Sequence, residues 1–185
     1  METTLTTGAN VLTPTVQTWS LDKAHAKLGF NVTHMLVSEV HGSFKTFEAK
    51  ITSEGEGFEN ANIELSADIN SINTDNTDRD NHLKNADFFE ATKFPTLTFK
   101  STSIDKVADN KYILKGELTM LGITKSVTLN VLGIIGTHPF NKKTIAGFKA
   151  TGTIKRADFN LGSSVPGMIV SDKVEITANA EFIKD

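Results

Sequence analysis

Residues Ser71–Ser101 read SINTDNTDRDNHLKNADFFEATKFPTLTFKS. The two ends of this stretch alternate as β-strands do; its middle does not. Asp78 opens a short helical run, DRDNHLKNA, with a capping residue and acidic groups in the first turn, where the helix dipole favours them. Phe88 and Phe89 follow, then Phe94-Pro95. Proline biases the residue before it toward extended geometry and so starts a new strand. A helical insert near residues 78–90, three phenylalanines and a proline-initiated strand thus interrupt a chain that otherwise reads as all-β. The insert is expected to lie as a plug or lid across one end of a sheet structure.

Outward from it, alternation dominates. Leu28, Phe30, Val32 and His34 share one strand face. Val40, Gly42 and Phe44 alternate likewise; Phe47, Ala49 and Ile51 resume after a one-residue slip, the mark of a bulge or bend. Ile63, Leu65, Ala67 and Ile69 form the next apolar face. Beyond the insert come Leu97 and Phe99, then Tyr112 to Met120, Val127 to Gly133, Phe148 to Arg156, and Val174 to Phe182, each at period two. Turns fall at Gly55–Gly57, Asp109-Asn110, Leu121-Gly122 and Asn141–Lys143. No internal repeat divides the chain, so one domain over residues 19–185 is expected, behind a loose Thr-rich tail at residues 1–18. Roughly eight strands, apolar on one face and joined by short turns, suit an antiparallel sheet closed on itself; a two-sheet sandwich is the alternative.

The inward rows contain many small residues: Gly42, Ala49, Ala67, Gly116 and Gly133, with Ala150, Gly152, Ala178 and Ala180. An eight-stranded barrel has an interior that side chains just fill, or that holds one small ligand. These positions either leave such a space or fit the taper of a packed barrel, and size alone does not choose.

Bulk properties exclude several classes. At 185 residues the chain can bury a substantial core. A net charge of −3 and a pI near 6.0 give no argument for nucleic acid or an anionic membrane surface. The absence of cysteine removes disulfides and thiolate chemistry. Residues 1–18 lack a basic region and a long apolar run, and no later stretch could span a bilayer. A cytoplasmic protein is expected, or a periplasmic one if a leader was removed.

No site motif emerges from spacing. The histidines at 25, 34, 41, 82 and 138 include no pair at i, i+2 or i, i+4, so no metal centre is expected. Asn76, Asp78, Asp80 and Asp87 resemble a calcium loop, but the glycine of its sharp turn is missing and the last position is Asp rather than Glu. A cap and a solvated helix face account for these acids. Arg79-Asp80 reads as a local ion pair, or as a tie from the helix to a strand. There is no dinucleotide loop, Walker sequence or nucleophile elbow. Arg156 ends an inward row. Its charge must reach the mouth, pair with a carboxylate such as Asp158, or meet an anionic ligand, because an unpaired buried charge is too costly.

Several of these stretches together resemble the YceI-like polyisoprenoid-binding family. They are Trp19-Ser-Leu-Asp22 with His25, Phe30-Asn-Val-Thr-His34, Gly42-Ser-Phe44, Ser71-Ile-Asn73 and Arg79-Asp80-Asn-His82-Leu83. They continue with Asp87-Phe88-Phe89, Phe94-Pro95 through Ser101, Gly116 through Lys125, Arg156-Ala-Asp158-Phe159 and Ser171-Asp172-Lys-Val174. The resemblance implies an extended eight-stranded antiparallel lipocalin-like barrel. It would hold a long amphiphile, such as a polyisoprenoid or isoprenoid quinone, as carrier, store or scavenger, with a stress-related role among the options. It implies binding rather than catalysis, no cofactor other than the lipid, and often a homodimer. Leu28, Phe30, Val32, Phe44, Phe99 and Leu118 would line the tunnel, as would Met120, Phe148, Ile154 and Phe159. Phe88, Phe89 and Phe94 would gate or line one end. Trp19, His34 and Arg156 would meet a head group at the mouth. Two departures stand out: the export signal of many relatives is not seen, and Ala26 and Asn160 occupy positions where the family often has Ser and Gly. Two other readings stay open. One is an enzyme acting on such an amphiphile with His34 or His82 as base. The other is a packed barrel serving as an interaction module, in which Gly152→Leu would be strongly destabilising, whereas a hollow barrel would tolerate it.

Overall fold

A computed structural model describes residues 15–55 and 57–185. The strands are β1 (Val16–His34), β2 (Ser38–Phe44), β3 (Phe47–Glu54), β4 (Asn62–Asp68) and β5 (Ile72–Asn73). The helix α1 (Thr77–Lys84) follows, then β6 (Thr96–Ala108), β7 (Lys111–Met120), β8 (Ile123–Thr137), β9 (Thr144–Lys155) and β10 (Val170–Lys184). The first strand begins inside the stretch read as a tail; residues 1–14 of that tail lie outside the described residues.

All pairings are antiparallel, and β1 pairs with β10, so the sheet closes into an eight-stranded barrel and the sandwich alternative falls. Ten segments make eight staves because two staves are broken. β2 and β3 run in line, interrupted at Lys45-Thr46 where the sequence pattern slips, and pair with successive halves of β1. β4 and β5 likewise follow one another along β3 and β2. The long first strand has a gap of its own. It pairs with β3 through Ser20 and with β2 from Leu28, and its register against β10 jumps between Asp22 and Lys27.

The glycine seats show how the interior is packed. A Cβ at Gly42, Gly116 or Gly133 would sit within 3.0 Å of the Phe30, Phe99 or Phe148 ring. Phe30 lies directly opposite Gly42, and Phe148 opposite Gly133. Each glycine therefore makes room for a ring from the neighbouring strand rather than leaving empty space. Gly152 is similarly closed, by Leu129 at 2.5 Å and the Thr128 carbonyl at 3.0 Å. Gly152→Leu is thus disruptive in a hollow barrel too, and does not separate the two readings. The alanines differ: Ala49, Ala150, Ala178 and Ala180 border open volume.

The two barrel ends are closed by different means. At the end where β1 begins and β10 finishes, Trp19 is 1% exposed and its Nε1 donates to Ser53 Oγ at 3.1 Å. Its ring meets Phe58 (5.2 Å between centroids), Phe58 meets Phe148 (4.8 Å), and Phe148 meets Phe182 (5.8 Å). Phe58 comes from the β3–β4 connection, a stretch read only as a turn. The opposite end carries the β1–β2 turn, the β4–β6 insert with α1, and the β9–β10 connection.

The helix differs from expectation in two details. Its N-cap is Asn76, whose side-chain oxygen accepts from the Arg79 amide at 2.9 Å, which makes Asp78 and Asp80 the second and fourth residues of the helix. Asp80 is buried rather than solvated. The helix stops at Lys84, and successive turns carry the chain to Phe94.

Candidate ligand-binding site

The barrel encloses a cavity of about 590 Å³ with an overwhelmingly apolar wall, within the range of small-molecule sites. Leu28, Phe30, Val32, Phe44, Phe99 and Leu118 line it, with Met120, Phe148 and Ile154. Phe88 and Phe89 close over one end, the latter edge-on to Phe44 at 6.1 Å. Two expected lining residues are elsewhere. Phe159, given to the lining with the resemblance, is 1% exposed but outside the cavity wall, held in the 3₁₀ turn Arg156–Phe159. Phe94 also stays outside the cavity wall; its ring lies beside the Gly122 turn with the Lys93 ammonium 4.9 Å from its centroid.

Trp19 is likewise not at a shared mouth. It sits at the far end of β1 from His34, roughly 40–50 Å along the strand at about 3.3 Å per residue. Its ring belongs to the aromatic floor. His34 and Arg156 do border the cavity at the lidded end, and the structure adds Thr74, Arg79 and His82.

Arg156 is buried, yet it makes no ion pair among the described residues. The expected partner Asp158 is exposed. Instead Nε donates to the Ser171 carbonyl (2.9 Å), Nη1 to those of Leu161 (2.8 Å) and Gly162 (3.0 Å), and Nη2 to that of Val170 (2.7 Å). Carbonyl dipoles from the β9–β10 connection (Leu161, Gly162) and from the first two residues of β10 (Val170, Ser171) solvate the cation. Asn160 at the end of that turn has φ +56°, a left-handed backbone that Asn tolerates nearly as Gly does, which explains the departure at this position.

Arg79 is held differently. Its Nε donates to Thr74 Oγ1 (2.8 Å) and its Nη2 to the Thr74 carbonyl (2.7 Å). Thr74 Oγ1 and the Thr74 amide in turn donate to the buried Asp80 Oδ1, at 2.6 and 2.8 Å. The two residues therefore form neither the expected ion pair nor a tie to a strand: Thr74 stands between them. Three of the five N–H groups on the Arg79 guanidinium keep no partner among the described residues. The sequence did not single Arg79 out as a site residue, because nothing in helical spacing shows which face meets a barrel mouth.

A second cluster lies at the gap in β1. Asp22 and Glu181 are opposite each other across the β1–β10 ladder, and His25 bridges the like charges. His25 Nδ1 lies 2.9 Å from Asp22 Oδ2 and 3.9 Å from Glu181 Oε2. The hydrogen bond to Asp22, then the charges of Asp22 and Glu181, hold the His25 ring above its ordinary pKa; that same bond, with the Ala24 amide, holds Asp22 below the usual carboxylate value. These three side chains offer one ligand atom each within 4.8 Å of one another, a convergence that a search for regular spacing misses. His82, the other histidine weighed as a base, pairs at the surface with Asp87 (Nε2 to Oδ2, 3.2 Å) and sets its ring edge-on to Phe88.

A closed antiparallel barrel around an apolar chamber, capped at one end by an arginine-bearing lid, is a lipocalin-like architecture. The YceI-like domain matches residues 19–182, and the chain belongs to that family. A UPF0312 protein of Staphylococcus aureus is 34% identical over 169 residues, covering 89% of this chain and 96% of its own. Protein YceI of Salmonella newport is 35% identical, covering 90% and 86%. Among solved structures, a Campylobacter jejuni YCEI protein is 31% identical with a TM-score of 0.74, covering 90% of this chain and 97% of its own. A polyisoprenoid binding domain from Saccharophagus degradans shares the fold at 18% identity with a TM-score of 0.67, covering 90% and 98%. Among the described residues, no helix is long and apolar enough to cross a membrane.

Proposed function

We propose that the protein binds a long-chain amphiphile, a polyisoprenoid, isoprenoid quinone or similar lipid, in the barrel interior, and acts as its carrier or store without chemistry of its own. The 590 Å³ apolar chamber carries this reading. Each CH₂ equivalent moved there from water is favourable by about 0.8 kcal/mol. Ten such groups give roughly 8 kcal/mol before the cost of ordering a flexible chain is subtracted, enough for stable binding with no polar contact to the tail. Family membership and the description of the Saccharophagus degradans domain as polyisoprenoid binding support the same ligand class.

Charge supports a head group at the lidded end. Arg79 offers three donors there that have no partner among the described residues, and Arg156 and His34 lie on the same wall. A phosphate, carboxylate or quinone oxygen suits these donors. The buried aromatic floor of Trp19, Phe58 and Phe182 suits a hydrocarbon terminus.

Mass spectrometry of an organic extract of protein purified from cells is expected to find a stoichiometric apolar lipid. Repeated absence of any such lipid sinks the reading. Turnover of an isoprenoid-like amphiphile that His34→Ala or His82→Ala abolishes, with lipid still bound, would replace it with the enzymatic alternative.

A further inference from the structure

The turn between β1 and β2 is built against the usual chemistry of such turns. Met35 and Leu36 have φ of +51° and +65°, and the Val37 amide donates to the His34 carbonyl at 3.3 Å. Two successive residues in the left-handed region favour Asn-Gly, because a side chain there is strained. Here the turn carries Met, Leu and Val, with Leu36 71% and Val37 85% exposed. Large apolar side chains held out in water on a strained backbone point to a function rather than to packing.

The tip does not stand alone. The Met35 amide donates to the Ile169 carbonyl at 2.9 Å, tying the turn to the β9–β10 connection. That connection presents Met168, exposed, and Ile169, which is both 37% exposed and part of the cavity wall. Val165 and His34, on the same two segments, also line the cavity. The exposed tip is therefore continuous with the chamber. Neither segment carries a carboxylate, lysine or arginine: Thr33–Ser38 and Phe159–Ser171 contain no Asp, Glu, Lys or Arg. Sinking them into a bilayer interface desolvates none of those charges, and the amides of Met35 and Val37 already have partners.

We propose that the Met35–Val37 turn and the Gly162–Ile169 connection form a lip that docks on a lipid bilayer, so that the barrel takes its amphiphile from the membrane directly into the cavity end beside Ile169. The proposal rests on the reading of the cavity as a lipid site. A protein partner seated on the same patch would seal that end, whereas a bilayer presents an apolar ligand to it.

Flotation with vesicles of phosphatidylcholine, and of phosphatidylcholine with phosphatidylglycerol, tests the lip. Wild-type protein is expected to float with both. The double variant Leu36→Asp/Val37→Asp, and separately Met168→Asp, should lower the bound-to-free ratio at least tenfold. Phe140→Asp, which removes an exposed apolar side chain near the opposite end, should leave it unchanged. Met35→Asn/Leu36→Gly removes two apolar side chains while suiting the turn, so its loss of flotation cannot be ascribed to unfolding. Wild type that stays at the bottom of the gradient overturns the proposal, as do lip variants that float like wild type or a Phe140→Asp variant that does not float. A lipid-free dimer that Leu36→Asp dissociates would give the patch to a second copy and equally overturn it. Lipid extraction runs in parallel: lip-dependent flotation of protein that contains no lipid keeps the docking surface and removes the cavity reading, and lipid-loaded protein indifferent to the lip does the reverse.

Discussion

Arg156 condenses what a single side chain can settle. Strand parity alone put it at the end of an inward row, and it is there. Its partners were illegible, because main-chain carbonyls, two from an irregular connection and two from the start of β10, leave no mark in the residue types. Arg156→Ala would leave those carbonyls buried without donors and is expected to cost roughly 3–5 kcal/mol, read as a fall in the urea midpoint. Arg156→Lys should recover little of it, since one ammonium cannot span acceptors fixed for a planar fork. A variant within 1 kcal/mol of wild type, on the order of a surface change, would show the cation to be dispensable. His25 makes a second residue-scale statement. Its pKa is raised, so its pairing contributes fully below about 6.5 and fades as pH rises through the raised value; Asp22, lowered, contributes above about 3.8 and loses its part as pH falls through its own. Both groups are water-exposed and screened, so stability should respond weakly. The direct check is NMR titration: a His25 midpoint above 6.5 that moves back toward it in Asp22→Asn.

At the scale of elements, alternation located at least part of every long strand and even the break between β2 and β3, since a period of two cannot slip unnoticed; it missed the first half of β1. It was blind where the chain abandons that period. The helix start was misplaced by two residues, because Asn76 and Asp78 are both competent caps and only tertiary placement chooses. Phe58 shows the same limit more sharply: in a glycine-flanked turn it has no periodic neighbours, yet it is a centre of the aromatic floor. Phe58→Ala should cost about 3–5 kcal/mol in denaturant unfolding, as for other large-to-small changes in cores. A loss below about 1 kcal/mol would mean that Trp19 and Phe148 close the floor unaided.

For the whole molecule, the sequence pointed to the closed barrel that is found, but alternation alone could not exclude the sandwich, and for a physical reason. Closure depends on β1 pairing with β10, whose partners are far apart in the chain and carry no local signature. The same holds for the chamber. Small residues were legible, but glycine and alanine proved to do opposite things, one seating rings and the other bordering space. Ala178, opposite Ala150 and Leu28 on the cavity wall, is therefore the place to fill it. Ala178→Phe is expected to fold with a stability change of about 1 kcal/mol or less, and to lose most of the copurifying lipid. Wild-type lipid content in a folded Ala178→Phe protein would locate the ligand elsewhere.

The interruption along β1 has a consequence for what the barrel can accommodate. Over Lys23–Ala26 the wall has no rungs to either side, so this placket can bow outward without breaking a ladder. The exposed pair Lys27 and Asn179 borders both it and the chamber. The seam is thus where the wall is expected to give first, and under the proposed function a hydrocarbon too long for the interior would leave sideways there instead of being turned away by the aromatic floor.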